Sequence, residues 1–226
     1  MKKVKVIVII INILFLFAEP LFARDDFQHW SQYLFKTIDT KYIDLFTWVD
    51  MRLKDDATTL TNAEVSEKAK FDFWKNLTLG LNYTYLNSKV SSRLAGRDEF
   101  KFTHRIEPEM TPHWKVGDWL NLEIRNRVEF RWIEDNGANN TRYRQKWTFD
   151  FPLKNILPVK SVYTGNEFFY DQKKHEYNED WLTPLGVSFK VSDKTSFNVY
   201  YMIQLKKGID DWSSSSVLGT VLSMAF

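Results

Sequence analysis

The sequence predicts an all-β protein, an antiparallel transmembrane β-barrel of about ten strands (range about 8–12), preceded by an N-terminal signal helix. Three observations predict this fold. Long segments alternate apolar and polar residues with a period of two, as strands with two different faces do. The chain has 9 Trp, 10 Tyr and 18 Phe, and membrane barrels place such residues in girdles at both interfaces. The chain also ends on an aromatic residue, Phe226.

The first 23 residues have the three-part layout of a secretory signal peptide. Three lysines stand among the first five residues, Val6 to Phe17 is apolar except for Asn12, and Ala23 is a small residue suited to cleavage. The apolar run is shorter than the roughly 20 residues that a transmembrane helix needs. We therefore predict export with cleavage near Ala23, and an uncleaved membrane anchor is the alternative.

Composition excludes several classes of function. Without the first 23 residues, the 31 basic and 29 acidic residues of the chain become 28 of each. No basic cluster of the kind that binds nucleic acid is present. The chain has no cysteine, which removes thiol catalysis and thiolate metal sites. No pair of histidines has metal-ligand spacing, so we expect neither a metal nor a cofactor.

Ten alternating segments follow the signal peptide. Most have about 10–12 residues, the length of a tilted bilayer crossing, whereas strands of soluble proteins usually have about 5–6. A soluble β-sandwich is the alternative that could also bury so many aromatic residues. The segments are 42–53, 64–73, 77–87, 100–112, 120–133, 141–151, 160–170, 181–191, 197–206 and 216–226.

The connections predict an orientation. Those at 74–76 and 192–194 are tight, whereas longer polar stretches stand at 88–99, 135–140, 171–178 and 207–215. Short periplasmic turns and longer extracellular loops are typical of outer-membrane barrels. If Phe226 ends at the periplasm, both tight turns also lie there. Residues 42–226 then form an even barrel of about ten strands.

Two features do not fit this scheme. Phe27 to Ile38, within the N-terminal segment 24–41, looks extended. It would be an odd eleventh strand, a short partial strand or a plug. Pro108 stands inside a predicted strand, and because proline removes a backbone donor we expect a bulge or kink there.

The end of the chain resembles the C-terminal strand signal that the barrel-assembly machinery reads in bacterial outer-membrane proteins. Phe226, Met224, Leu222 and Leu218 fall on one face of the last segment. This resemblance implies that the assembly machinery and outer-membrane lipid are partners, and that the protein is located in the cell outer membrane.

A longer stretch, Leu122 to Gln204, resembles a family of predicted outer-membrane proteins classified only as a domain of unknown function. The resemblance implies a barrel and brings no known activity. The residues that carry it are Arg125-Asn126-Arg127-Val128-Glu129-Phe130-Arg131, Arg142-Tyr143-Arg144, Asn166-Glu167-Phe168-Phe169, Gly186 and Tyr200-Tyr201-Met202-Ile203-Gln204.

Acidic and basic residues interleave on one face of three consecutive segments and continue into a fourth. Neighbouring strands lie about 4.8 Å apart, so arginines can bind carboxylates across strands with two hydrogen bonds. We predict a lumen charge network made of Arg105, Glu107, Glu109, Glu123, Arg125, Arg127, Glu129, Arg131, Arg142, Arg144, Lys146, Asp150 and Glu167.

Two interpretations of this network remain open. One is a satisfied set of ion pairs that fills a narrow barrel, since about eight strands enclose only enough room for side chains. The other is an anion-attracting constriction, because rings of Arg and Lys favour anions. The sequence thus predicts an outer-membrane barrel of unknown role, either structural or a narrow porin-like pore for small anions, with a monomer favoured.

An enzyme is the alternative of a different class. Lipid-modifying hydrolases among small outer-membrane barrels need a histidine beside a serine hydroxyl. Of the four histidines, His104 stands on a strand and points outward, while His113 and His175 stand in turns and His29 in the unassigned N-terminal segment. No serine spacing singles out a partner for any of them, so we expect no enzymatic activity and no catalytic residue.

Overall fold

The computed structural model describes residues 26–92, 97–134, 140–154, 156, 158–208 and 211–226, and no side chain from 90 to 98. The predicted signal peptide, residues 1–23, lies outside these ranges. Within them, no helix is long and apolar enough to cross a membrane.

The described part of the chain forms a closed barrel of eleven strands. The predicted all-β barrel is confirmed. The strands are β1 (Asp26–Asp39), β2 (Ile43–Lys54), β3 (Thr59–Trp74), β4 (Leu77–Ser92), β5 (Arg97–Val116), β6 (Leu120–Ile133), β7 (Asn140–Pro152), β8 (Val159–Asp171), β9 (Glu176–Lys190), β10 (Thr195–Lys207) and β11 (Trp212–Ala225).

The segment that the sequence left unassigned is the strand that closes the barrel. Strands that follow each other in sequence pair antiparallel, and β1 pairs antiparallel with β2 and parallel with β11. Phe27 to Ile38 is thus a full eleventh strand, neither a partial strand nor a plug. Residues 42–226 do contain ten strands, β2 to β11, but they do not close the barrel alone, because one edge of β2 and one edge of β11 pair with β1.

The parallel seam places the two ends of the barrel chain at opposite rims. We call the rim at Phe226 the C-terminal rim; it carries the connections 40–42, 75–76, 117–119, 153–158 and 191–194. The other, the N-terminal rim, carries the start of β1 and the connections 55–58, 93–96, 134–139, 172–175 and 208–211.

The predicted difference in loop length between the two rims is not observed. Polar residues that the sequence assigned to loops extend the ladders instead, so that β4 reaches Ser92 and β5 begins at Arg97. The connections after β8 and β10, at the N-terminal rim, are as short as the one between β4 and β5. The connection 153–158, at the C-terminal rim with the tight turns, spans six residues. Loop length therefore does not orient this barrel.

The two faces of the wall are inverted relative to a soluble β-protein. Among the described residues, 20 polar or charged residues are buried, compared with six hydrophobic ones. Large apolar side chains such as Leu81, Ile106 and Phe130 lie exposed on the outer face. The period of two sends alternate residues to opposite faces, so the same alternation that the sequence shows produces a polar interior and an apolar exterior.

The C-terminal residues lie on the outer face beside the seam. Leu222 and Met224 are paired with Tyr33 and Phe35 of β1, and the ring of Phe226 stacks on that of Phe35 at 6.5 Å. The backbone N–H of Phe226 donates to the carbonyl of Lys36 at 3.2 Å. The end of the chain thus completes the pairing that closes the ring.

The bulge expected at Pro108 is absent. The register between β5 and β6 is the same on both sides of it, with Ile106 opposite Phe130 and Glu109 opposite Arg127. Register shifts lie elsewhere in the barrel, and two of them, between Tyr163 and Gly165 of β8 and between Tyr201 and Ile203 of β10, lie beside β9 near Pro184. A bulge there tolerates a proline without a backbone donor.

We predict that the barrel cannot close without β1. A chain that starts at residue 42 should fail to fold in detergent micelles, because the free edges of β2 and β11 would have no backbone partners. Heat-modifiable migration in SDS gels reports closure. A chain that starts at residue 24 is the control and should fold; if both chains folded equally, the role of the seam would be refuted.

Candidate functional site

The predicted charge network lies inside the barrel on the adjacent strands β5, β6 and β7 and continues to β8. Arg127 of β6 binds two carboxylates of β5, with its guanidinium nitrogens 3.0 Å from Glu107 and 2.7 Å from Glu109. The amide of Asn82 also donates to Glu109, at 3.3 Å. All three charged side chains are buried, so the arginine offsets part of the cost of burying two carboxylates.

A second cluster is centred on Glu129, which is 0% exposed. It accepts from Nε of Arg142 at 2.8 Å and from NH1 of Arg144 at 2.6 Å. Arg144 also binds Glu167 at 2.8 Å, and Arg125 binds the same Glu167 oxygen at 2.7 Å. The pairs therefore form a continuous chain of ion pairs across three strands, in which Nε of Arg125 is buried without a hydrogen-bond partner.

Aromatic rings from β8, β9 and β1 pack against this cluster. Arg142 and Arg144 lie 4.8 Å and 4.6 Å from the ring centre of Phe169. Phe169 contacts Trp181 with ring centres 4.6 Å apart, and Trp181 contacts Trp30 at 4.9 Å. Such contacts between arginine and aromatic faces stabilise the charge where it is desolvated.

These side chains cross the lumen from wall to wall. We call the set the closed layer, and it consists of Trp30, Arg52, Glu129, Arg142, Arg144, Phe169 and Trp181. Phe169 and Glu129 are 0% exposed and Trp30 is 2% exposed, while Arg52 stacks on Trp30 at 3.9 Å and binds Asp50 at 2.7 Å. The closed layer therefore connects β2 with β7, on opposite sides of the ring, through Trp181, which lies 5.3 Å from both Arg52 and Arg144.

The remaining predicted network residues are less tightly engaged. Arg105 reaches Glu64 at 3.8 Å, and Asp150 accepts from Asn121 at 2.9 Å. Within the described ranges, no salt bridge of 4.0 Å or less includes Glu123, Arg131 or Lys146. The structure thus brings nine of the thirteen residues into direct ion pairs: Arg105, Glu107, Glu109, Arg125, Arg127, Glu129, Arg142, Arg144 and Glu167.

A cavity of about 290 Å³ lies beside the closed layer, toward the C-terminal rim. On β7, for example, Arg144 and Lys146 both line it, and Lys146 is two residues nearer that rim. The cavity has seven cationic and five acidic side chains in its wall, so its formal charge is positive. We call it the lower cavity.

Two tyrosines of the lower cavity lie over glycines of the neighbouring strand. Tyr163 is paired with Gly186, and Tyr200 with Gly219. A Cβ atom at Gly186 would clash with the Tyr163 ring, and one at Gly219 with the Tyr200 ring. Only glycine lets these rings lie flat against the wall, which keeps the lower cavity open.

Several functional side chains escaped the sequence analysis. Trp30 belongs to the strand that was left unassigned. Glu179 binds Arg142 at 3.3 Å, and Trp181 lies beside it. Both were missed because the bulge near Pro184 changes which alternate residues of β9 point into the lumen. Phe169 could have been found, because it shares the inward parity of Glu167 two residues away.

His104 lies on the outer face, where its Nδ1 is 2.7 Å from the hydroxyl of Tyr83. Among the residues that the structure describes, no three His, Cys, Asp or Glu side chains lie close enough together to hold a metal ion.

Comparison with known families gives one match. The model of a family described as "Protein of unknown function (DUF2490)" matches residues 27–215. This range includes β1 to β10 and the start of β11, and it is wider than the stretch from Leu122 to Gln204 in which the sequence resemblance was found. No curated protein matches the chain.

We predict that Glu129→Gln destabilises the barrel by about 3–5 kcal/mol, because it leaves two buried arginines with one counter-charge fewer. Urea unfolding in detergent micelles measures the effect. The matched control is Glu123→Gln, on the same strand and face but without a salt bridge, which should change stability by less than about 1 kcal/mol. Equal losses in the two variants would contradict the assignment of Glu129 as the centre of the network.

Proposed function

This chain belongs to the DUF2490 family of proteins of unknown function, and we propose that it is a bacterial outer-membrane β-barrel whose lumen is closed to passage. The observation that carries the membrane location is the inverted wall, with buried charges inside and apolar residues outside. A closed ring of strands satisfies every backbone group without water, as a bilayer demands. The apolar exterior favours contact with lipid over contact with a second sheet.

The closed layer favours a structural barrel over a pore. An anion-conducting constriction requires cations that face open water. Here Arg142 and Arg144 are engaged by Glu129, Glu167 and Glu179 and covered by Phe169. Their charge is neutralised and their surface is covered, so they offer little to a passing anion.

We also propose that the protein is not an enzyme. The alternative, a lipid hydrolase, would place a histidine and serine within hydrogen-bonding distance. The His104–Tyr83 pair on the outer face satisfies the imidazole without a nucleophile. A girdle residue that anchors the wall in an interface is the simpler role for both side chains.

Export and assembly complete the proposal. The N-terminal 23 residues would direct the chain out of the cytoplasm and be removed near Ala23. The outward residues Leu222, Met224 and Phe226 would then be read by the barrel-assembly machinery. We place the C-terminal rim at the periplasm and the N-terminal rim at the cell surface, with the barrel as a monomer.

Epitope insertion tests both the membrane location and this orientation. In a Gram-negative host, a tag between Lys173 and Lys174 should bind antibody on intact cells, because that connection is at the N-terminal rim. A tag between Asp193 and Lys194, at the C-terminal rim, should bind only after the outer membrane is permeabilised. The reverse pattern would overturn the orientation, and recovery of the protein in the soluble fraction would overturn the membrane location.

Planar-bilayer recordings test the closed lumen. The wild-type barrel should show no step currents, whereas Phe169→Ala should open the closed layer and produce them, because it removes the ring that covers Arg142 and Arg144. Phe168→Ala is the matched control: its side chain lies next in sequence but on the outer face. Step currents from the wild-type protein in several salts would refute the proposal.

A further inference from the structure

The lower cavity holds more positive charge than the ion pairs of the barrel require. Lys68, Lys70 and Lys146 all line it, and within the described ranges none of them forms a salt bridge of 4.0 Å or less. Lys68 and Lys70 come from β3, while Lys146 comes from β7, four strands away around the ring. Three ammonium groups thus surround one space from different parts of the wall.

Most carboxylates of the same wall are already engaged. Asp50 accepts from Arg52, Glu64 lies near Arg105, and Glu109 and Glu167 are bound by arginines. Glu123 is the exception. The surplus of cations over free carboxylates leaves the lower cavity ready to accept a negative charge from outside the chain.

The cavity also offers ring surfaces. Lys68 lies 4.4 Å from the ring centre of Trp48, and Lys70 lies 5.5 Å from that of Phe46. Tyr163 and Tyr200 lie flat over their glycines in the same wall. A ligand that places an anionic group among the lysines would bring any attached ring against these aromatic faces.

Size and access restrict the ligand further. The volume of about 290 Å³ is at the lower end of the range of roughly 300–1,000 Å³ in which proteins bind small molecules. The closed layer blocks entry from the N-terminal rim. On β9, β10 and β11, the inward positions nearer the C-terminal rim carry the small side chains of Ser188, Asn198 and Ser223, so a ligand would enter along these strands.

We propose that the lower cavity binds a small ring-bearing phosphate ester, which enters from the C-terminal rim. Several lysines around one space suit a doubly charged group better than a carboxylate, because each ammonium acts as a separate point charge. The aromatic walls hold the ring. This site is a property of the lumen and does not depend on which membrane, if any, surrounds the barrel.

Calorimetric titration of the purified barrel in detergent micelles tests the proposal, with phenyl phosphate as the probe. Saturable binding with a stoichiometry of one is expected. The double variant Lys68→Met with Lys146→Met should weaken it at least about tenfold, because two charge-assisted contacts are removed. Lys75→Met, in an exposed turn at the same rim, is the matched control and should bind as the wild type does.

Two further probes separate the parts of the ligand. Inorganic phosphate should bind more weakly than phenyl phosphate, and phenol should not bind measurably. The single variant Lys70→Gln repeats the test with a smaller change if the double variant does not fold. Absence of saturable binding by the wild type, equal binding by the lysine variants, or equal affinity for inorganic phosphate would overturn the proposal.

Discussion

Backbone hydrogen bonding around a closed ring is the constraint on which the rest of this structure depends. Each of the eleven strands must have a partner on both sides, and neighbours in sequence pair antiparallel. With an odd number of strands, the first and last must run in the same direction. The parallel seam between β1 and β11 is therefore required, although parallel pairing is slightly less stable per residue than antiparallel pairing.

The same closure fixes which side chains meet in the lumen. Because side chains alternate between the two faces of a strand, one residue correctly assigned to the inner face assigns every second residue of that strand to it as well. The sequence therefore predicted the inward face of β5, β6 and β7, and the structure places Arg127, Glu129 and Arg144 on it. It could not predict the partners that come from distant strands, such as Glu64 and Glu179, since alternation says nothing about which strands are opposite.

Three errors of the sequence analysis have physical causes. The even barrel over 42–226 rested on a regularity of other barrels: its ten strands are present, but the ring also includes β1, whose pairing depends on contacts with residues almost 200 positions away. The polar residues at 88–92 and 97–99, assigned to a loop, remain strands because they continue the pairing of β4 with β5. Pro108 causes no bulge: the register simply continues past the missing donor, while the bulge near Pro184 reverses the parity of β9.

Arginine and lysine have different tasks in the lumen. The closed layer uses arginine, whose planar guanidinium can engage two carboxylates and still stack on an aromatic ring. Arg144 does all of this, with Glu129, Glu167 and Phe169. A lysine in its place would supply one point charge, so Glu129 would depend on Arg142 and Glu167 on Arg125 for a second contact.

Lysine is correspondingly placed where full pairing is not required. Lys68, Lys70 and Lys146 surround the lower cavity, where space remains for water or a ligand around each ammonium group. A compact, strongly hydrated charge tolerates that setting better than it tolerates full burial. Arginines such as Arg125 and Arg127 also line the lower cavity, but carboxylates already bind them. The three lysines are therefore the cations of this wall that can accept an anion from outside the chain, while the arginines hold the wall together.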